Sequence, residues 1–303
     1  MDRAIRVIQL SDTHFLEAGL QAEGGGAYDT SLAFDHVLDH IGDHEHFDYV
    51  AVTGDVADHG RPEQYEIAAA AFGRFAIDVK VCPGNHDFDE PLRGGMGHAN
   101  LSTPRVVELG SWAFLFADSS AGVMVPDDDG NLVDPPGEDR LHNDGVLADH
   151  EAEWLRDACA STDAEHVFIW LHHPPAPDVP ALSRNEAYAN DWAELLPDLA
   201  NVRGLGGGHT HVPAQYEVHG LPVIVAPSFK NNFDLEAKSW LPPGYRTYEF
   251  APDGSISSEV HLVDHHDDHW PARPMGRAVQ ALFAGELTYA DLAEIAARRA
   301  AGN

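Results

Sequence analysis

The sequence predicts an α/β fold in which helices cover buried sheets. Three observations lead to that expectation. Short apolar runs rich in β-branched residues recur through residues 1–264, each flanked by turn residues. Amphipathic stretches with helical spacing alternate with them. The runs are apolar at nearly every position, which suits strands covered on both faces rather than half-solvated ones. Strands and helices alternating in one chain imply sheets with helices packed on them.

The first element is Ile5–Leu10, which runs into a polar loop. Residues 31–41 carry Leu32, Val37, Leu38 and Ile41 at helical spacing. Tyr49–Thr53 reads as a second buried strand, Glu63–Phe75 as an alanine-rich helix and Val79–Cys82 as a third strand. Apolar runs at Val106–Leu109 and Trp112–Ala117 follow, then a helix over Glu151–Ala160 and a strand over His166–Leu171. Leu221–Ala226 and Tyr245–Phe250 are late strands, and Ser257–Leu262 alternates as a strand does. Trp112, Trp154, Trp170 and Trp192 sit in apolar patterns and are expected in the core. Residues 122–144 are rich in Pro, Gly and Asp, which is loop composition. Asp127-Asp128-Asp129 within it lacks the spaced ligands of a calcium loop.

After Val263 the character changes. A polar break, His265-His266-Asp267-Asp268-His269, precedes two helical pieces at Met275–Phe283 and Tyr289–Arg299. Thr288 and Asp291 fit a capping box before the second. The expected organisation is a main domain over 1–264 and a helical tail over 265–303. The tail would pack on the core or join a second subunit into a homo-oligomer.

Composition excludes several classes. No run of about 18 apolar residues occurs, so no membrane span is expected. The chain enters its first strand almost at once, leaving no room for a secretory signal, and a cytoplasmic location is expected. Cys82 and Cys159 are the only cysteines. Two cysteines give no disulfide framework, and both read as small buried hydrophobes. The formal net charge is −32. So negative a surface repels polyanions, so long nucleic acid is not an expected partner.

Five short motifs follow one another. They are Asp12-Thr13-His14, Gly54-Asp55, Gly84-Asn85-His86-Asp87, His172-His173-Pro174-Pro175 and Gly208-His209-Thr210-His211. The first four lie where a predicted strand ends, which is where open α/β sheets bind ligands. The fifth lies in a glycine-rich turn. Each motif alone is unremarkable, but five in this order point to one chemistry. Imidazole nitrogen and carboxylate oxygen suit divalent transition metals without any cysteine. Two such ions about 3.5–4 Å apart can drive an in-line displacement at phosphorus. Glycines beside Asp55, Asn85 and His209 let the backbone turn sharply and approach closely.

The five motifs resemble those of the calcineurin-like metallophosphoesterases. The resemblance covers residues 5–264. Within the family the chain looks most like the class III cyclic nucleotide phosphodiesterase and glycerophosphodiesterase branch. Thr53-Gly54-Asp55-Val56-Ala57-Asp58, the His172-His173-Pro174-Pro175 run, Gly145-Val146-Leu147 ahead of Trp154-Leu155, and Ala226-Pro227-Ser228 support that branch. Phe88 departs from it, since a second aspartate usually follows Gly-Asn-His-Asp.

The resemblance implies a four-layer αββα sandwich and two transition-metal ions, Mn, Fe or Zn. Asp12, His14 and His211 would hold one ion, Asn85, His172 and His209 the other, and Asp55 would bridge them. His172 is preferred to His173 because the family's ligand follows its strand directly. His86 would face the phosphate with Asp87 as its partner. The implied reaction is hydrolysis of a small phosphate ester, a diester of cyclic nucleotide or glycerophosphodiester type, by in-line attack of a metal-bound hydroxide. A phosphomonoesterase and a non-catalytic metal-binding scaffold are the alternatives.

The charge carries its own expectation. Fifteen arginines stand against three lysines, Lys80, Lys230 and Lys238, amid 50 acidic side chains. That composition resembles proteins of salt-loving organisms. Like charges on a compact surface repel and destabilise the folded state. Salt shortens the screening length from about 10 Å at 0.1 M to about 3 Å at 1 M. The melting temperature should therefore rise as KCl is raised from about 0.1 M to about 2 M. A flat or falling melting temperature would contradict salt adaptation.

Overall fold

The computed structural model describes residues 3–18, 29–87, 100–120, 145–175, 186–234 and 239–264, with a few isolated positions between them. Phe88, the Asp127–Asp129 run and the tail over 265–303 lie outside the described residues. Two six-stranded mixed sheets form the centre. In the first, β1 (Ile5–Leu10), β2 (Tyr49–Thr53), β3 (Val79–Cys82) and β4 (Leu101–Ser102) run parallel. Its other edge is an antiparallel pair. In the second, β5 (Val106–Leu109), β6 (Trp112–Phe116), β9 (His166–Trp170), β10 (Val202–Gly207), β11 (Ala214–Val218) and β12 (Leu221–Val225) take the order β11-β12-β10-β9-β6-β5. Its four inner strands are parallel. A short pair, β7 (Val125–Pro126) and β8 (Leu132–Val133), lies within the Pro/Gly/Asp-rich segment. A second, β13 (Asn232–Asp234) and β14 (Ser239–Leu241), lies late in the chain. The antiparallel edge of the first sheet is β15 (Gly244–Phe250) and β16 (Ile256–Leu262).

The strand period of two sorts side chains into layers. On β1, Ile8 and Leu10 face α1 (Thr30–Ile41) and α2 (Pro62–Phe72), packing with Phe34, Val37, Tyr65 and Phe72. Val7 turns the other way, into an aromatic layer between the sheets with Tyr49, Phe114, Phe168, Trp170, Tyr248 and Phe250. The far face of the second sheet packs Leu115, Ile169 and Leu205 against Leu155 of α3 (Asp149–Ser161) and Trp192 of α4 (Glu186–Leu195). The result is helices, sheet, sheet, helices, the expected αββα sandwich. Among the described residues no helix is long and apolar enough to cross a membrane.

Polar ties cross the apolar layer between the sheets. Gln9 is fully buried. Its Nε2 donates to Thr53 Oγ1 at 2.8 Å and to Gly207 O at 2.9 Å, and its Oε1 accepts from Tyr248 at 2.6 Å. Trp170 Nε1 donates to Tyr49 Oη at 3.0 Å, and Arg246 Nε to Val225 O at 3.0 Å. A buried amide or guanidinium left unpaired costs free energy, so these groups specify how the sheets register on each other.

Most expected elements stand within two or three residues of their predicted ends. Cys82 and Cys159 are buried as expected, and so are Trp112, Trp170 and Trp192. Trp154 is only partly buried, with the Arg105 guanidinium 3.5 Å from its ring centre. His44 is half-buried. Its Nε2 accepts from Ala76 N at 2.8 Å and its ring packs on Phe75.

Strand β10 is the main correction. Residues 202–207 carry no expected strand, only the glycine-rich turn that follows at 208–211, yet they form a strand in the middle of the second sheet. Their glycines make room for large neighbours. A Cβ on Gly206 would lie 2.3 Å from Trp170 Cζ3, and one on Gly204 would lie 3.0 Å from Phe168. Gly206→Ala should therefore overpack this layer and cost about 1–3 kcal/mol. A urea denaturation midpoint equal to wild type would contradict that packing.

Candidate metal centre

The site lies where both sheets present the carboxyl ends of their parallel strands. Asp12 and His14 follow β1, Asp55 follows β2, and Asn85 to Asp87 follow β3. His172 follows β9, and His209 and His211 follow β10. All five motifs are thus at strand ends, the fifth included. The first two loops are zipped together. Asp12 N donates to Gly54 O at 3.0 Å, His14 N to Asp55 O at 2.8 Å and Phe15 N to Val56 O at 2.8 Å.

The backbone here is strained. Six described residues other than glycine have positive φ, and five of them are Asp12 (53°), His14 (42°), Asp55 (50°), His209 (65°) and His211 (54°). Such a conformation costs a side chain with a Cβ of order 1–3 kcal/mol. Its concentration on these five residues marks a site held against local preference. Two glycines admit the close approach. A Cβ on Gly84 would lie 2.3 Å from Asp55 Oδ1, and one on Gly208 would lie 1.8 Å from Ser11 Oγ.

Asp55 is the hub. Its Oδ2 lies 3.2 Å from His172 Nε2, 3.5 Å from His14 Nε2 and 4.0 Å from His86 Nε2. Its Oδ1 accepts from His86 N at 2.9 Å. Asp12 Oδ1 is 3.1 Å from His211 Nε2. Asn85 Oδ1 is 3.1 Å from His172 Nε2. Four overlapping groups have ligand atoms within 4.8 Å of one another: Asp12 with His14 and His211, Asp12 with Asp55 and His172, His14 with Asp55 and His86, and His172 with His173 and His209. Asp12, His14, Asp55, Asn85 and His172 are buried, whereas His86, His209 and His211 are partly exposed at the mouth.

Charge in the cluster is unbalanced. Burial pushes Asp12 up, but His211 and His172 outweigh it and hold it below the usual carboxylate range. Burial opposes Asp55 likewise, and His172 and His86 pull it well below. Burial lowers His172, yet Asp55 raises it to about 9. Burial and Lys230 push His14 down to about 3. Burial, His173 and His172 push His209 well down. Burial also lowers His86, partly offset by Asp55. Two buried carboxylates call for positive charge that the imidazoles cannot all supply.

A cation meets that demand. Both ring nitrogens of His14 are buried without a well-formed hydrogen bond, although Nδ1 is 3.2 Å from Asp58 Oδ1. Orphaned imidazole nitrogens facing carboxylates, with no sulfur nearby, suit a borderline transition metal. The residues present therefore fit bound metal.

The chain brings together every residue that the sequence pointed to. Asp87 differs in its contacts. The partnership with His86 expected of it falls to the Asp58 carbonyl oxygen, 2.6 Å from His86 Nδ1. Asp87 instead accepts from Val56 N, Ala57 N, Gly84 N and Tyr65 Oη at 3.0–3.2 Å. Burial and Asp55 push its carboxyl up to about 6, against those backbone donors. His173 is buried, with Nδ1 2.9 Å from Ser119 Oγ and its ring 4.2 Å from that of His209. Asp58, Lys230 and Asn231, given no role from sequence, also touch the cluster. Asp58 stands three residues after Asp55, a signal the sequence offered, whereas Lys230, one of only three lysines, lies in no motif.

Comparison with known proteins agrees with this geometry. Residues 5–213 match the family described as Calcineurin-like phosphoesterase. The chain belongs to that family. It is 29% identical over 271 residues to the 3',5'-cyclic adenosine monophosphate phosphodiesterase CpdA of Escherichia coli K12, across 86% of this chain and 90% of that relative. It is 26% identical over 268 residues to the CpdA of Haemophilus influenzae, with the same coverage. A dimetal phosphatase from Danio rerio shares the fold, with a TM-score of 0.55 at 15% identity over 87% of this chain and 100% of that one. The expected class III branch, and with it a hydrolase, is borne out.

The contacts of Asp87 make a direct prediction. Asp87→Ala would strand buried backbone N–H groups of Gly84, Val56 and Ala57, each costing about 1–3 kcal/mol. Chemical denaturation should show a loss of at least about 3 kcal/mol. An unchanged unfolding free energy would mean that Asp87 does not clasp these loops.

Proposed function

We propose that this protein hydrolyses phosphodiesters, cyclic nucleotides foremost, at a dinuclear metal centre. The buried cluster around Asp55 is the observation that supports this reading most. The CpdA relatives, matched across most of both chains, support the substrate class. Asp12, His14 and His211 would hold one ion, Asn85, His172 and His209 the other, and Asp55 both. The donor set suits Mn, Fe or Zn. When bound, such ions supply an activated water and neutralise charge developing on phosphoryl oxygens.

The chain's own groups add orientation and a proton. The strained loops aim Asp12, His14, Asp55, His209 and His211 inward before any ligand arrives, so little reorganisation is left to the reaction. His86 donates its Nδ1 hydrogen to Asp58 O, which turns Nε2 toward the cluster. The neutral ring is then bare at Nε2, and only as the imidazolium, after taking up a second proton there, can His86 donate to the oxygen that leaves phosphorus. Opening a 3',5'-cyclic diester needs one such proton, because the alkoxide that leaves stays on the product. A scaffold that had given up catalysis would have no need of the complete set of donors.

Specificity constants for bis- and mono-p-nitrophenyl phosphate, with cyclic AMP as a third substrate, test the reading. Diesters should be preferred, and a clear monoester preference would point to a phosphatase instead. His86→Ala should retain metal while losing about 10²–10⁴-fold in rate. A metal-free His86→Ala protein would make His86 a ligand and overturn its assigned role.

A further inference from the structure

Residues Ser228 to Asn232 lead from the end of β12 into β13, and they touch one side of the cluster repeatedly. Ser228 Oγ donates to Asp12 O at 3.4 Å, and Phe229 N donates to the same oxygen at 3.1 Å. Lys230 Nζ donates to Asp58 Oδ1 at 2.6 Å, and that oxygen lies 3.2 Å from His14 Nδ1. Asn231 Oδ1 contacts His211 Nδ1. Phe233 N donates to His211 O at 2.9 Å. The loop is itself braced, since Asn232 accepts from Ser228 N at 2.6 Å and donates to Ser228 O at 2.8 Å.

We propose that this loop is a one-sided clamp, in which Lys230, acting through Asp58, and Asn231 act as positioning residues that set metal affinity at the Asp12–His14–His211 position alone. The inference rests on the dinuclear reading above.

The reason lies in which ring nitrogen is left bare. A carboxylate paired to an ammonium is an acceptor only, and so is an amide oxygen. The His211 nitrogen facing Asn231 Oδ1 therefore carries its hydrogen there, and the Asp58 charge, 3.2 Å from His14 Nδ1 but outside good hydrogen-bond geometry, draws the His14 hydrogen to that nitrogen. His14 then presents a bare Nε2 toward Asp55 Oδ2, 3.5 Å away, and His211 a bare Nε2 toward Asp12 Oδ1, 3.1 Å away. An outer acceptor behind each imidazole fixes the tautomer and ring orientation and raises ligand basicity. Lys230 is 5% exposed and Asp58 0%, so each needs the other in place. The second position is oriented from elsewhere. Thr53 O lies 2.8 Å from His172 Nδ1, and His173 packs on His209.

Manganese titration followed by electron paramagnetic resonance tests the clamp in two backgrounds. Asn85→Ala isolates the Asp12–His14–His211 position, and His211→Ala isolates the other. Lys230→Met should weaken Mn²⁺ binding about 10–100-fold in the Asn85→Ala background and by less than about twofold in the His211→Ala background. Lys230→Arg should recover most of the loss, because it keeps a cation against Asp58. If Lys230→Met does not fold, Asn231→Ala in the Asn85→Ala background is expected to show the same loss. Equal weakening in both backgrounds, or none in the first, overturns the clamp. Wild-type protein that takes up no Mn²⁺ overturns the dinuclear reading and the clamp with it.

Discussion

Everything near the site depends on one electrostatic constraint: the buried carboxylate of Asp55 is ringed by imidazoles of His14, His86 and His172, with Asp12 close behind. An isolated buried charge is costly unless it is paired. A mixed crowd of carboxylates and largely neutral imidazoles does not close its own charge balance. It is a stable arrangement for a protein that binds cations there. The strained φ angles follow, because the side chains can converge only if five residues enter the left-handed region. The glycines follow too, since Gly84 and Gly208 leave room for Asp55 and Asp12.

Holding such a cluster requires a rigid frame, and the two sheets supply it. Three motif loops come from the first sheet and two from the second, so any sliding of one sheet on the other would separate the ligands. The aromatic layer resists sliding by packing. Gln9 resists it by geometry, because one amide reaches Thr53 of the first sheet and Gly207 of the second, immediately beneath the motif loops. The link between fold and function is thus local: inter-sheet contacts lie next to the residues they align.

Much of the fold was legible because its strands are short, apolar and bounded by turn residues. Ile5–Leu10, Tyr49–Thr53 and Val79–Cys82 stand where the pattern put them. β10 was hidden because Gly204, Gly206 and Gly207 mimic a turn, and only the facing Trp170 and Phe168 explain them. α4 and β11 also went unread, although Tyr188, Trp192 and Leu195 recur at helical spacing and β11 alternates as a strand does. The convergence of the motif residues was legible because each follows a strand within a few positions. Lys230 was not, since it acts on Asp58 from 172 residues away, and no local pattern announces a contact made across the fold. The partner of His86 was misread for a similar reason: a carbonyl oxygen leaves no trace in the sequence.

The central claim is that Asp55 joins two ion positions into one centre. Elemental analysis of Mn²⁺-reconstituted protein addresses it directly, comparing wild type with Asp55→Ala after gel filtration. The account predicts about two equivalents in wild type and loss of both in the variant, with the fold retained by circular dichroism. A folded Asp55→Ala protein that kept both equivalents would contradict it.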